Sequence, residues 1–360
     1  MLGIRISAPK ALNGRRGRIV AITGPVILAG LLALGVVAGR SKPIATPELP
    51  GEIVLAESAT AEPTPSLAET AAVPLPESSS LYANIGLSPA FAQLLSELQA
   101  EIDAYSQAKG GVSVAIAVTD LQIGETLAVN GGDLHRSGCT INLFALLAAT
   151  DRFQAGVADP NDFAYSVRVG IGSSYPPEVK RFTQAIFGSQ AEGAAYGQVL
   201  MRSWGMQTSV FDHVPYYGER DTNNYLTALE TNLALVQLHR RELLSPEWTD
   251  YALGVLTDID SGLNYMLPRY LPWDASVAHK IGYHWDSDGW VNNDAGIVSF
   301  TGEDGLQKTY VISYLSQQAP TERIGNWLAG RLSGMVWDYF AGTYGAHASF
   351  QPLPAPYYAP

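Results

Sequence analysis

The stretch Cys139-Thr140-Ile141-Asn142-Leu143-Phe144-Ala145-Leu146-Leu147 decides how this chain reads. A short tetrad with polar Thr140 and Asn142 runs directly into an apolar block. That pattern predicts a buried helix whose first turn presents Cys139 and Asn142 on one side, three residues apart. Free N–H groups and the helix dipole at such an N-terminus favour a developing negative charge, so a nucleophile placed there is assisted. The same setting draws a thiol's pKa toward neutrality, and the thiolate is itself the nucleophile. Asn142 is neutral at every relevant pH and cannot take the proton. Cys139 therefore has two readings: a reactive thiolate, or a small, inert, buried apolar residue.

Further along the chain come Gly218-Glu219-Arg220-Asp221-Thr222, then Val277-Ala278-His279-Lys280-Ile281-Gly282, then Asp294-Ala295-Gly296-Ile297-Val298. Their order resembles the class A β-lactamases and related penicillin-binding serine hydrolases, which carry Ser-x-x-Lys first and Lys-Thr-Gly later. The resemblance puts Cys139 at the nucleophile position, Asn142 at the lysine position and Ile281 at the threonine position. Lys280 and Gly282 would then hold a substrate carboxylate at close backbone approach, the other reading being an edge strand with a solvated lysine. The family's second motif, Ser-x-Asn, is matched at Ser174-Tyr175-Pro176 in its serine alone, and an alternative register lies near Ser189. Arg220 and Asp221 would staple the end of the family's omega loop. Val210-Phe211-Asp212-His213-Val214-Pro215 has no glutamate for deacylation.

The fold implied is α/β of the α+β type, in three layers, with a five-stranded antiparallel sheet, the terminal helices on one face and a helical block beside it. The local patterns agree. Ser88-Pro89 opens a helix with Phe91, Leu94, Leu95, Leu98 and Ile102 on one face. Val112 to Val118 and Thr126 to Val129 read as a hairpin, and Asp159 to Pro177 as a polar, proline-containing segment. Helical patterns follow at 177–187, 192–204, 226–241 and 246–256. From Ser276 the period becomes two, predicting strands at 277–283, 291–300 and 308–315 before a closing helix from Thr321 to Phe340.

Outside this domain, residues 1–18 form a basic N-terminus and residues 19–39 an uninterrupted apolar stretch long enough to cross a bilayer. The flanking Arg5, Lys10, Arg15, Arg16 and Arg18 orient it with the N-terminus in the cytoplasm, which predicts a single-pass membrane anchor with an extracytoplasmic C-terminal domain. A cleaved signal, and hence a secreted protein, is the alternative. Residues 40–87 read as a Pro/Ala/Glu-rich disordered linker, 88–342 as the β-lactamase-like domain and 343–360 as a Pro-rich tail. The chain carries 22 basic and 34 acidic residues, and its first 42 residues hold seven of the basic ones and none of the acidic; the exported part is thus near −19. Nucleic acid is excluded as a partner on that charge. A single cysteine excludes an internal disulfide.

His279, His284, Asp286 and Asp288 suggest a metal site only faintly, because the later acidic ligand of a calcium loop is missing; a polar hairpin turn explains them, and no metal or cofactor is expected. His135 reads as a solvated loop histidine. Altered motifs at three places imply a catalytically degenerate member that binds ligands or scaffolds at the cell envelope. A β-lactam or a peptidoglycan stem peptide is the implied partner. Two alternatives stand beside it: an active hydrolase of β-lactams or cell-wall peptides using Cys139, and a non-enzymatic interaction protein.

Overall fold

A computed structural model describes residues 83–346. The basic N-terminus, the apolar stretch 19–39, and most of the linker and tail lie outside the described residues. Among the described residues, no helix is long and apolar enough to cross a membrane. The elements are α1 (Pro89–Lys109), β1 (Ser113–Asp120), β2 (Glu125–Val129), β3 (His135–Arg136), α2 (Asn142–Gln154), α3 (Pro160–Val167), α4 (Pro176–Phe187) and α5 (Gln190–Ser203). They continue with β4 (Tyr225–Leu226), α6 (Ala228–His239), α7 (Pro246–Thr257), β5 (Ser276–Asp286), β6 (Gly289–Thr301), β7 (Gln307–Gln317) and α8 (Glu322–Tyr344).

Five strands form one antiparallel sheet in the order β2-β1-β7-β6-β5, so β5 is an edge. Alternation along β1 separates the two faces. Val114, Ile116 and Val118 point to α1 and α8, joining a core that includes Phe91, Leu98, Trp327, Val336 and Phe340. Ala115 and Ala117 point the other way, toward the helical block. Small side chains on that face let α6 lie close, and Asn232 on α6 donates to the carbonyls of Ala117 and Val311. The three-layer architecture expected from the sequence is therefore present. It is completed by α2, which is buried on every side from Asn142 to Thr150, as befits the central helix of the block.

One sequence expectation needs correction and one segment gains elements. The polar, proline-containing segment 159–177, to which the sequence reading assigned no element, holds α3: Asp159 caps it by accepting from Asn161 N at 2.9 Å, Pro160 occupies the first turn, and a π-helical turn, Arg168–Gly172, follows. His135 is not solvated. It is 1% exposed on β3, which pairs with β4, and its ring nitrogens lie 3.2 Å from Ser113 Oγ and from Asp133 O.

A 3-10 turn, Gly138–Ile141, leads into α2 and packs against β5 at backbone distance. A Cβ on Gly282 would stand 2.2 Å from Thr140 N and 2.7 Å from Cys139 N, so only hydrogen fits there. Gly138 answers from the other side: it sits at φ +51°, and a Cβ would meet Gly282 C and Tyr283 N, each at 3.1 Å. Gly282→Ala is expected to lower unfolding free energy in urea by about 1–3 kcal/mol through overpacking, while Gly132→Ala, which meets open space, changes it by less than about 0.5 kcal/mol. Equal effects of the two substitutions would show that the turn does not depend on this approach.

Candidate functional site

The floor of a cleft of about 320 Å³ is built by three elements. The 138–141 turn brings Cys139, strand β5 brings Tyr283, and the left-handed Ser174 (φ +51°), placed just after the π-helical turn, brings its hydroxyl, with the Lys280 side chain of β5 behind Ser174 rather than in the lining. Lys280 is fully buried, and its Nζ donates to Ser174 Oγ and to Ile281 O, each at 2.7 Å. β5 is an edge strand, but its lysine is not solvated. Burial lowers the Lys280 pKa to about 8, against the opposing pull of Cys139 and Asp294.

Cys139 is half-buried and faces this ammonium and Ser174. Its thiol is pushed up by burial; the Lys280 charge and a hydrogen bond with Ser174 pull it down, and the nearby Glu219 carboxylate pushes it up again. The helix-terminus argument alone predicts the opposite direction. Desolvation wins because the turn is packed under β5. Asn142 stands one turn further in, 0% exposed, with neither Oδ1 nor Nδ2 hydrogen-bonded. Each such group costs about 1–3 kcal/mol. Thr140 Oγ1 is likewise buried without a partner. Ile281 packs into the core beneath α1 and α8, so the strand offers no hydroxyl there.

One wall of the cleft is the 210–222 loop. Asn224, fully buried, clamps it: its Oδ1 accepts from Asp212 N and His213 N, and its Nδ2 donates to His213 O. Asp221 accepts from Ser287 N and Oγ, and its own N–H donates to Asp286 Oδ1 at 2.6 Å. Buried Asp286 also holds Arg136 Nε at 3.2 Å and His284 Nε2 at 2.8 Å. Arg220 lies over the Trp285 ring, its guanidinium carbon 4.1 Å from the centroid. Loop and β5–β6 hairpin are therefore stapled together. Where the sequence reading finds no glutamate at 210–215, the loop turns Glu219 into the cleft, bound to His213 Nε2 and accepting from Tyr216 N. Its only sequence signal is its place directly before Arg220-Asp221.

The faint metal cluster divides. His279 pairs with buried Asp294 at 2.9 Å, while His284 and Asp286 belong to the staple. Among the described residues no group of three side chains is placed to hold a metal ion.

A family model described as the β-lactamase enzyme family matches residues 195–340, a span that holds Arg220-Asp221, Lys280-x-Gly282 and Asp294-Ala295-Gly296 but neither Cys139 nor Ser174. No curated protein matches the chain by sequence. Among solved structures, a point mutant of PBP-A, determined as an acyl-enzyme complex with penicillin G, is similar at 20% identity and TM-score 0.58, covering 71% of this chain and 100% of that one. A β-lactamase from Chitinophaga pinensis is similar at 19% identity and TM-score 0.56, covering 67% and 98%. The TLA-3 extended-spectrum β-lactamase is similar at 18% identity and TM-score 0.58, covering 68% and 99%. The fold is that of the class A β-lactamases and their penicillin-binding relatives.

Alkylation of Cys139 by iodoacetamide across a pH series checks the electrostatics. The midpoint in the folded protein is expected above that of the urea-unfolded chain, because burial favours the neutral thiol. Lys280→Met removes the nearest cation and moves the midpoint higher still; Glu219→Gln removes an anion and moves it lower. A folded midpoint below the unfolded one contradicts this site.

Proposed function

We propose that this chain is a membrane-tethered, extracytoplasmic receptor of the β-lactamase fold, catalytically retired, that holds an anionic acyl ligand such as a β-lactam or a peptidoglycan stem peptide. One juxtaposition carries the reading. The Lys280–Ser174 contact, which seats an anion, is intact, whereas the position one helical turn after Cys139 holds Asn142, which accepts no proton. At about 8, the Lys280 pKa leaves the ammonium mostly charged at neutral pH, and an arriving carboxylate stabilises that charge further. Binding therefore persists where turnover does not. The penicillin G complex of the PBP-A neighbour supports a β-lactam as ligand. The apolar stretch 19–39 with its basic flank supports the tether.

The competing reading, an active cysteine hydrolase, draws on Glu219 beside the thiol. The two separate on one titration of the full chain with benzylpenicillin. Retirement predicts reversible binding, weakened about tenfold or more by Lys280→Met, with no change in intact mass and no hydrolysis of a chromogenic cephalosporin above the buffer rate. A covalent adduct that disappears in Cys139→Ala establishes the hydrolase instead.

A further inference from the structure

One end of the sheet carries large apolar side chains on its connections. Ile123 stands in the β1–β2 turn at 51% exposure, Leu306 in the β6–β7 turn at 63%, and Trp273 in the stretch before β5 at 87%. Register places all three at the same end. Asp120 pairs with Glu125 and with Tyr310, Thr301 with Gln307, and Ser276 with Ser299, so both turns and the start of β5 close that end together. Ile85, 66% exposed, joins them from the segment that enters the domain beside β2, where Asn84 N donates to Thr126 O and Ser88 N to Glu125 Oε2. With strands about 4.8 Å apart, the row crosses roughly 20 Å. Single exposed apolar residues are ordinary on a soluble surface, and connections are ordinarily polar; here successive connections at one end each expose a large apolar side chain.

The path of the chain says what covers them. It reaches Ala83, at this end, from residues 40–82, which span at most about 150 Å behind the apolar stretch 19–39. A bilayer that holds that stretch stays within reach of the row. Charge narrows the lipid. Asp274, Glu303, Asp304 and Glu125 stand at this end against one lysine, Lys308, which pairs with Asp304. Anionic headgroups are repelled by such a surface, and neutral ones are not. Tryptophan is also the side chain that settles at headgroup level, its rings in the apolar region and its N–H in water.

We infer that this end of the domain, through Trp273, Leu306, Ile123 and Ile85, rests on the surface of a bilayer of neutral lipid. The inference builds on the tether proposed above and gives the tethered domain an orientation. Tyr283, His284 and Trp285, which line the cleft, lie toward the other end of β5, and Ser276 to Trp285 covers about 30 Å at 3.3 Å per residue. The cleft then opens away from the lipid.

Quenching by brominated lipid tests the contact. All seven tryptophans lie in the described domain, so the signal comes from the domain and not from the anchor. The full chain is reconstituted in phosphatidylcholine vesicles with bromine on the acyl chains near the headgroup, and its emission is compared with that in unbrominated vesicles. The native chain is expected to be quenched and Trp273→Phe to lose most of that quenching. Leu306→Glu is expected to reduce it about twofold or more, because a carboxylate resists entry into the acyl region. Both positions are too exposed for these changes to unfold the domain, which far-UV circular dichroism checks. Adding phosphatidylglycerol is expected to weaken the quenching. No quenching, quenching unchanged by Trp273→Phe, or stronger quenching with phosphatidylglycerol overturns the contact. So does a Trp273 shielded from acrylamide yet untouched by bromine, which marks a protein partner such as a second copy. Flotation of the same vesicles tests the tether separately. If the chain does not float, the tether reading fails, and excess brominated vesicles added to the free chain still decide the contact: quenching lost in Trp273→Phe upholds it, and no quenching overturns it.

Discussion

The backbone of the 138–141 turn touches the backbone of β5, and the cleft follows from that contact. Gly282 has no Cβ to hold Thr140 away, and Gly138 takes up a left-handed conformation that brings the turn against Gly282 and Tyr283. An edge strand ordinarily leaves its outer side to water. Here that side is covered by the entry to the central helix, so Lys280, two residues before Gly282, is driven into the protein. A buried ammonium needs partners. It finds Ser174 and its own strand's Ile281 carbonyl, and Ser174 is delivered by a π-helical turn and a left-handed backbone.

The same contact sets the electrostatics around Cys139. A helix start favours a thiolate, but desolvation under β5 opposes it more strongly, and Glu219 adds to the opposition. Asn142 neither compensates the Lys280 charge nor accepts the thiol proton. Its unpartnered amide, at zero exposure, is a stability cost retained at a site whose packing is otherwise tight. What remains at the site is the hydrogen bond from buried Lys280 to Ser174, and the loop stapled by Asp221, Asp286 and Arg136 sets an aromatic wall beside it.

Much of this was legible in the residues. Period-3.6 patterns located all but one of the main helices, and short β-branched runs bounded by turn residues located the sheet strands, although the central strands are buried on both faces. The central helix was legible because the run after Asn142 is apolar all round. The short β3–β4 pair was not readable, being two residues long on each side, and α3 was hidden by a polar composition despite its Asp-Pro start. At the site, the spacing of Cys139 and Asn142 and the position of Lys280 are local facts. The side on which Lys280 faces, the proximity of Ser174 and the inward turn of Glu219 are tertiary facts. The loop that carries Glu219 is held by Asn224 and Asp286, Asp286 from another segment, and the side of Lys280 by the turn packed on Gly282. The thiol's pKa direction was open in the sequence because dipole and burial act oppositely, and only the packing decides between them.

The central claim is that an intact anion seat survives beside a missing base and an altered nucleophile. Restoring both tests it most directly. Cys139→Ser combined with Asn142→Lys, incubated with benzylpenicillin and weighed by intact-mass spectrometry, is predicted to gain one penicillin mass, while the native chain and each single variant gain none. A native chain that acquires the adduct, or a double variant that binds the penicillin and never does, contradicts the account.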